Sequence, residues 1–106
     1  MKEINIYELI GNADFAENKD IGQEIRVKYV MPQLKIGEEV TLNFDKINKA
    51  SQSFIHSIIS EPIRKYGIDT TLQLIVFKSC NNAVKQIIGI VLEYMQDAIN
   101  RNLQQD

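Results

Sequence analysis

Hydrophobic positions follow a period of two in some segments and a helical period in others, so strands and helices are predicted in alternation. Residues 3–8 begin with an alternating pattern and are predicted to form a short strand. A second strand is predicted over residues 40–44. A third is predicted over residues 71–77, whose continuously apolar end is typical of a strand covered on both faces. A fourth strand would fit in residues 9–16 or could come from a partner chain.

The first predicted helix follows a polar loop over residues 11–19. Asp20 is a suitable N-terminal cap for a helix over residues 21–34, whose apolar positions approximate helical spacing. Pro32 is expected to bend or stop this helix, because proline has no backbone N–H to donate. Gly37 then closes the segment as a turn residue.

Two longer helices are predicted in the second half of the chain. Ser51 is a favourable cap for a helix over residues 52–66, which Gly67 ends and which Pro62 is expected to kink or break. The last helix, over residues 82–101, has the clearest pattern, because its apolar residues recur at intervals of three and four. Its cap is expected among the polar residues that precede it or open it, Ser79, Asn81 and Asn82.

The predicted order of elements is β-α-β-α-β-α, which indicates an α/β fold. Strands that alternate with helices form a parallel or mixed sheet with the helices packed on it. The chain has 106 residues, of which 44% are hydrophobic and 25% are charged. This length and composition predict a single domain over residues 1–106 with one hydrophobic core.

Composition excludes several classes of function. The single cysteine, Cys80, and the single histidine, His56, argue against cysteine- or histidine-rich metal sites, and no metal or cofactor is expected. The net charge of −2 argues against a nucleic acid partner. No secretory signal is recognised, and no apolar run approaches the ~20 residues of a membrane span. Together with the unpaired cysteine, this pattern predicts a cytoplasmic protein that does not bind a membrane.

The sequence also lacks the common motifs of catalysis. Its glycines are isolated, so it has no phosphate-binding loop, and it has no G-x-S-x-G elbow. His56 is interpreted as a surface residue of a helix, because no acidic or nucleophilic partner for it is evident. Cys80 is interpreted as a small loop or core residue. We therefore do not expect an enzyme.

The most informative stretch is residues 40–54, where a strand leads through a short loop into a helix that begins in a serine cluster. The first turn of a helix presents free backbone N–H groups and a partial positive potential, which stabilise an anion. A phosphate on Ser51 or Ser53 would therefore suit its own helix. The simpler interpretation is that Ser51 is only the helix cap, and spacing alone leaves both interpretations open.

This stretch resembles the STAS domains of bacterial anti-sigma factor antagonists, and most closely a divergent STAS-like family of unknown function. Members of that family have a strand of the form V-x-L-D-F, a loop with a small apolar residue, and S-S-S-F at the start of a helix. The matching positions here are Val40, Leu42, Phe44, Ile47, Ala50, Ser51, Ser53 and Phe54. Residues 81–84 match a later N-P-x-V motif and residues 20–22 loosely match a D-G pair, so the resemblance spans about residues 15–95.

The resemblance implies a non-enzymatic regulatory module that binds another protein. In the best-known STAS domains the partner is a GHKL-type ATPase that acts as a serine kinase and anti-sigma factor, and phosphorylation of a serine in the docking loop breaks the complex. The partner-binding residues that carry over to this chain are Asp45, Lys46, Asn48, Lys49, Ser51, Gln52, Ser53 and His56. The resemblance makes Ser51 and Ser53 the candidate phosphorylation sites.

Two departures from the family pattern concern this phosphorylation. Gln52 occupies the position of the usual phosphate acceptor, and glutamine cannot be phosphorylated. Asn43 replaces the acidic residue that is common at the end of the second strand. Both departures weaken a phosphorylation switch and leave the docking loop intact.

Two alternatives use the same fold. One is a small-ligand sensor, since STAS folds can bind nucleotides. The other is a homo-oligomeric structural or phage-related accessory protein, for example a homodimer. The second alternative is suggested by Ile90 and Tyr94, which extend the apolar surface of the last helix beyond what one small sheet needs.

Overall fold

A computed structural model describes the backbone of residues 2–104 and the side chains of residues 2–101. The strands in this range are β1 (Lys2–Asn5), β2 (Phe15–Ala16), β3 (Val40–Asn43), β4 (Lys49–Ala50) and β5 (Ile75–Lys78). The helices are α1 (Ile6–Leu9), α2 (Lys19–Ile25), α3 (Met31–Lys35), α4 (Gln52–Tyr66), α5 (Ile68–Leu74) and α6 (Asn82–Gln104). A π-helical segment, Arg26–Val30, joins α2 to α3.

Strands β1, β3 and β5 form a parallel sheet with β3 in the middle. Val40 is aligned with Lys2 of β1 on one side and with Ile75 of β5 on the other. Ile4 and Leu42 are neighbours on one face of this sheet, and both are buried. Parallel strands need crossover connections, which the helices supply, so the predicted α/β fold is confirmed.

The predicted first strand is too long. β1 ends at Asn5, whose side-chain oxygen accepts a hydrogen bond of 3.0 Å from the backbone N–H of Glu8 and so caps α1. Ile6 is therefore helical, and it is fully buried. Ile4 and Ile6 alternate with polar residues in the sequence, which is the pattern of a strand. Both side chains are indeed buried, but the backbone changes from strand to helix between them.

A second, two-stranded parallel sheet consists of β2 and β4, with Phe15 aligned with Lys49 and Ala16 with Ala50. β2 lies within residues 9–16, where the sequence predicts a fourth strand. It does not join the main sheet, however, and it interrupts the predicted polar loop. A strand of two residues has too few positions to show a period, so the sequence gives no sign of β4.

The helix predicted over residues 21–34 consists of α2, the π-helical segment and α3 in succession. Asn18 caps it in place of Asp20, because the Asn18 side chain accepts hydrogen bonds from the backbone N–H groups of Asp20 and Ile21 at 2.9 and 3.3 Å. Pro32 follows the π-helical segment and lies in the first turn of α3. Proline has no backbone N–H, so a regular helix would lack one hydrogen bond at this position. The wider turn of the π-helical segment accommodates this interruption.

Helix α4 has the bounds that the sequence predicts, Gln52–Tyr66, and Gly67 with a φ of +88° ends it. The predicted break at Pro62 does not occur, since the helix continues through this residue. Pro62 is itself buried, among a face of α4 that supplies much of the core. Packing of this face outweighs the one backbone hydrogen bond that proline removes.

The third predicted strand begins too early. Residues 71–74 belong to α5, in which the backbone N–H of Thr71 donates to the Gly67 carbonyl at 3.2 Å, and the strand begins only at Ile75. β5 is an edge strand of the main sheet, and the side chain of Val76 is 38% exposed. The expectation that this strand is covered on both faces is therefore wrong.

Helix α6 begins at the predicted residue and extends to Gln104. Asn81 is the cap among the three candidates, because its side-chain oxygen accepts a 2.9 Å hydrogen bond from the backbone N–H of Val84. The stripe of apolar residues that α6 buries against the rest of the core is Val84, Ile88, Val91 and Met95. Among the described helices, none combines the length and the apolar character needed to cross a membrane.

Candidate functional site

The predicted partner-binding residues lie near the carboxyl edge of the main sheet, and we call them together the docking surface. They are Asp45, Lys46, Asn48, Lys49, Ser51, Gln52, Ser53 and His56, of which Ser51 and His56 are half-buried and the rest are exposed. The carboxyl edge of parallel strands is where ligands of open α/β sheets bind. The chain enters this region after β3, where the backbone N–H of Phe44 donates to the Lys78 carbonyl at 2.8 Å.

Three side chains join the ends of the main strands beneath the docking surface. Glu3 accepts hydrogen bonds from the Lys78 ammonium at 3.0 Å and from the Asn43 amide at 3.3 Å. These two hydrogen bonds, that from Lys78 first, lower the pKa of the Glu3 carboxyl below its ordinary value. Asn43 also accepts from the backbone N–H of Asp45 at 2.9 Å and so starts the turn that follows β3. Asn43, which departs from the family pattern, therefore connects β1 to the turn that follows β3.

Lys46 lies at the tip of this turn with a φ of +69°, in the left-handed region that side chains rarely adopt. The turn closes through the backbone N–H of Ile47, which donates to the Phe44 carbonyl at 3.0 Å. The Lys46 ammonium lies 5.4 Å from the centre of the Tyr7 ring, within range of a cation–π contact. A left-handed backbone at a residue with a side chain is energetically unfavourable. It persists where the surrounding structure, or a function, requires it.

Two side chains hold the loop between β3 and β4 in place. The Asn48 amide donates to the Asp14 carboxylate at 2.8 Å, and its backbone N–H donates to the Asp14 carbonyl at 2.8 Å. From the other side, the Asn81 amide donates to the carbonyls of Ile47 at 3.3 Å and Asn48 at 2.9 Å. The loop is therefore anchored to the residues that directly precede β2 and α6.

Ser51 and Ser53 differ in how their hydroxyl groups are used. The Ser51 hydroxyl accepts from the backbone N–H of Phe54 at 3.1 Å, which makes it the N-terminal cap of α4, and it lies 3.5 Å from the Glu17 carbonyl. The Ser53 side chain is exposed, and its hydroxyl contacts only that of Ser51, at 3.1 Å, among the side-chain hydrogen bonds described. A modifying enzyme would therefore reach Ser53 more easily than Ser51.

A small pocket of about 280 Å³ opens beside the docking surface, and we call it the apolar pocket. Its walls come from β2, the β4–α4 junction and the first turns of α6: Phe15, Lys49, Ala50, Ser51, Ala83, Gln86 and Ile87. The Phe15 side chain is 44% exposed. Of these lining residues, only Lys49 and Ser51 are among the predicted partner-binding residues, because Phe15 and the start of α6 are distant from them along the chain.

A larger cleft of about 600 Å³ opens on the other side of the α4 N-terminus, and we call it the cationic cleft. It lies between α2, α4 and α6, and its lining residues are Lys19, Gln23, Arg26, Gln52, Ser53, His56, Ser57, Ser60, Arg64, Val91 and Tyr94. Gln52, Ser53 and His56 belong both to this lining and to the docking surface. The start of α4 thus contributes to both concave surfaces, through Ser51 in one and Gln52 and Ser53 in the other.

His56 is half-buried in the wall of the cationic cleft, so it is more enclosed than the surface residue that the sequence predicts. Its ring meets the Tyr94 ring edge to face, with 6.2 Å between the ring centres. Burial and, second, the positive charge of Arg64 lower the pKa of His56. Both effects favour the neutral imidazole, which can donate and accept a hydrogen bond.

Cys80 has none of the features of a reactive thiol. It is half-buried and packs against the core, and burial raises the pKa of its thiol despite the nearby charge of Lys85. The prediction of a loop or core residue is thus consistent with its position just before α6. Within the part of the chain that the structure describes, no three histidine, cysteine, aspartate or glutamate side chains are close enough together to hold a metal ion.

Comparison with known protein families identifies the family of this chain. The model of a family described as a STAS-like domain of unknown function (DUF4325) matches residues 21–85. This range includes β3, the loop of the docking surface, α4 and β5. No curated protein and no solved structure matches the chain.

Proposed function

Since the chain belongs to the family of STAS-like domains of unknown function, we propose that it is a regulatory module that acts by binding another protein. The proposed partner is a bacterial GHKL-type ATPase or a similar kinase, and the proposed contact is the docking surface together with the apolar pocket. In this proposal the domain catalyses no reaction. Its output depends on which protein occupies the docking surface.

The observation that carries this proposal is the apolar pocket next to an exposed polar loop. Stable protein interfaces have a desolvated apolar centre with a polar rim, and aromatic residues contribute most of the binding energy. Phe15 and Ile87 supply apolar surface at the pocket, while Lys49 and Gln86 supply polar groups around it. A partner side chain that fills about 280 Å³ would bury this apolar surface.

The rigidity of the loop also supports a binding role. The bond that Asn48 donates to Asp14 and the one that it accepts from Asn81 fix the loop before any partner arrives, so that association orders few residues. Lys46 keeps an energetically unfavourable left-handed backbone at an exposed position of the turn. A glycine would adopt this conformation more easily, which suggests that the lysine side chain is needed there.

Within this proposal, Ser53 is the residue whose phosphorylation would release the partner. Its exposed hydroxyl lies in the first turn of α4, where the helix stabilises a dianion. The same dianion would place two negative charges on a surface that binds a neutral hydroxyl. Ser51 is less suited, because a phosphate there would displace the cap bond to Phe54.

The test is a binding measurement with each GHKL-type ATPase encoded near this gene in its host, by isothermal titration calorimetry. We expect Phe15→Ser, Gln52→Asp and Ser53→Glu each to weaken binding by about tenfold or more without changing the fold. Gln73→Asp is the matched control for Gln52→Asp, since Gln73 is exposed on α5 at the opposite edge of the sheet. Unchanged affinity in all three variants, or an equal loss in Gln73→Asp, would contradict the proposal.

A further inference from the structure

The cationic cleft is a groove that follows α4 between two other helices. Its lining residues on α4 extend from Gln52 to Arg64, which corresponds to about 18 Å at the rise of an α-helix. Ser57 and Ser60 among them are buried, so small side chains form the floor of the groove. Helix α2, with Arg26 directly after it, and helix α6 pack against α4 and supply the rest of the lining. A groove of this length matches a helix laid into it, which is a recurring way in which proteins bind each other.

The groove is positively charged in a chain whose net charge is −2. Lys19 and Arg26 approach from the α2 side, and Arg64 lies at the end of the lining on α4. Among the residues that the structure describes, none of those lining the groove is acidic. Three cations around a concave surface without a carboxylate produce a positive potential that favours an acidic ligand.

Ion pairs do not neutralise this charge. Lys19 has no carboxylate within ion-pair distance in the described part of the chain. Arg64 approaches Glu61 only to 3.9 Å, and both side chains are more than half exposed, so this pair is weak. Arg26 donates a hydrogen bond to the Ser57 carbonyl at 3.2 Å, which holds the guanidinium in place and leaves its other N–H groups for a ligand.

The three cations follow one another along the groove at a regular interval. Helices α2 and α4 begin side by side, and Arg26 lies seven residues after Lys19, about 10 Å further along. Arg26 contacts Ser57, and Arg64 lies seven residues after Ser57 on α4, which is about 10 Å further again. Residues seven apart on an α-helix lie on one face and have the same separation, so a helix with an acidic residue at every seventh position matches these cations.

The α6 side of the groove is apolar and exposed. The Tyr94 side chain is 57% exposed, and its edge contact with His56 fixes the orientation of the ring. Ile90, about one turn earlier on α6, is 45% exposed. A partner that covers both residues gains the free energy of burying apolar surface. One charged side and one apolar side correspond to the two faces of an amphipathic helix.

We propose that the cationic cleft binds an amphipathic helix of the partner protein, with acidic residues against Lys19, Arg26 and Arg64 and apolar residues against α6. This inference rests on the proposed docking function and identifies a segment that the partner must contain. Gln52 and Ser53 belong both to the docking surface and to the lining of the cleft, so the bound helix extends the same interface.

The first test titrates the purified chain with two synthetic peptides of about 18 residues, rich in alanine so that they form helices. One has glutamate at every seventh position and leucine three and four positions after each glutamate. In the other, each glutamate changes places with the alanine two positions further on, which moves the charges to the opposite side of the helix. In calorimetry we expect the first peptide to bind at least about tenfold more tightly, with an affinity that falls as salt increases. Equal affinities, or no binding at about 1 mM, would overturn the proposal.

Other occupants of the cleft give different results. ATP and inorganic tripolyphosphate are titrated under the same conditions, and tighter binding of either than of the first peptide would overturn the proposal in favour of a compact anion. Light scattering detects self-association of the chain. A dimer that Tyr94→Ala dissociates and the peptide does not would assign the groove to a second copy and would likewise overturn the proposal.

Variants then locate the site. The double variant Lys19→Gln/Arg64→Gln should weaken binding of the first peptide by about tenfold or more, and Tyr94→Ala should weaken it by about fivefold or more. The matched control Lys28→Gln/Lys35→Gln removes the same charge from exposed residues outside the lining and should change affinity by less than about twofold. An equal loss in the control, or no loss in the first two variants, would overturn the assignment. Circular dichroism of each variant verifies that it is folded.

The double variant also separates this inference from the proposed function. With a GHKL-type ATPase that binds the chain, Lys19→Gln/Arg64→Gln should weaken binding about as much as Phe15→Ser does, and the first peptide should compete with the ATPase. If Phe15→Ser weakens ATPase binding and the double variant does not, the docking function stands and the inference about the cleft is wrong. If no ATPase binds and the first peptide does, the proposed partner is wrong and the preference of the cleft for an acidic helix stands.

Discussion

Gly22 of α2 lies so close to Ser57 of α4 that a Cβ atom on the glycine would overlap the serine hydroxyl. The same Cβ would lie 3.0 Å from the Phe54 carbonyl oxygen. The Ser57 hydroxyl donates to that carbonyl at 2.6 Å, which directs the hydroxyl along the surface of its own helix. This contact brings α2 against α4, and it thereby places Arg26 and Arg64 around one cleft.

Gly22→Ala should destabilise the protein, because the added methyl group meets backbone and a buried serine rather than a flexible side chain. We expect a loss of about 1–3 kcal/mol in the free energy of unfolding, measured by urea denaturation. Gly89→Ala is the control, since a Cβ at this helical glycine of α6 meets nothing within 4 Å. It should stabilise the protein by about 0.5–1 kcal/mol, and a similar loss in both variants would refute the packing argument.

Asn81 should contribute to stability through two functions that substitutions can separate. Asn81→Ala removes the cap of α6 and both bonds to the loop, at a cost of about 1–2 kcal/mol. Asn81→Asp keeps an acceptor for Val84 but loses both donors. In hydrogen exchange, the Val84 amide should therefore stay protected in Asn81→Asp and lose protection in Asn81→Ala. Equal exchange of this amide in the two variants would show that the cap is not formed by Asn81.

The Thr71 hydroxyl is buried without a hydrogen-bond partner among the described residues. Thr71→Val replaces it with a methyl group of nearly the same size and so removes a desolvated polar atom. We expect the free energy of unfolding to increase by about 1 kcal/mol, measured by urea denaturation. Thr70→Val at the exposed neighbouring position is the control and should change stability by less than about 0.5 kcal/mol. Destabilisation by Thr71→Val would indicate that the hydroxyl has a partner in solution.

The pKa of Glu3 should be below its ordinary value, and Lys78→Gln should raise it, because the first cause of the shift is the hydrogen bond from Lys78. A lowered carboxyl pKa contributes stability above the ordinary pKa, and this contribution is lost as the pH falls through the pKa of the folded state. Titration of the Glu3 side chain by NMR measures the shift. Lys85→Gln is the control and should leave the pKa of Glu3 unchanged. If Glu3 has the same pKa in Lys78→Gln as in the unmodified chain, the hydrogen bond between Lys78 and Glu3 is excluded.

His56 should make the protein less stable as the solution becomes acidic. Because burial and Arg64 lower its pKa in the folded state, the unfolded state binds more protons between that pKa and about 6.5. Stability therefore falls as the pH decreases through this window. The other charged or titratable groups that line the cleft around His56 are Lys19, Arg26 and Tyr94. Urea denaturation measures the free energy of unfolding at about pH 7.5 and about pH 5.5, and the difference between the two should be smaller for His56→Asn than for the unmodified chain. An equal difference in the two proteins would show that His56 is not responsible for the loss of stability.

Long elements with a strong pattern are predictable from this sequence. The bounds of α4, its cap Ser51 and its end at Gly67 follow from local chemistry, and the structure has all three. The start of α6 and its buried stripe are equally local features. These elements agree with the prediction because the apolar face continues over many turns and the cap is adjacent to it.

Elements decided by a single side-chain bond or by a distant partner are not predictable in this way. The hydrogen bond that the Glu8 backbone N–H donates to the Asn5 side chain ends β1 earlier than the alternation of apolar residues indicates. Residues 71–74 have the composition of a strand but belong to a helix that begins directly after α4. The two concave surfaces are equally hidden, since Arg64 looks like part of the wet face of α4 until α2 is placed beside it.

The π-helical segment makes the alignment of the first long helix depend on a single residue. In this segment the backbone N–H of Met31 donates to the Arg26 carbonyl, five residues earlier, where an α-helix would connect residues four apart. The segment is thus equivalent to an α-helix with one inserted residue. If the same residues were wound as a regular α-helix without the wider turn, α2 would be rotated by about 100° relative to α3. That rotation would turn Lys19 and Gly22 away from α4 while Leu34 stayed in the core, so the wider turn absorbs the extra residue and keeps the lining of the cleft together. Homologues that lack the extra residue should keep the cleft with a regular helix in this place.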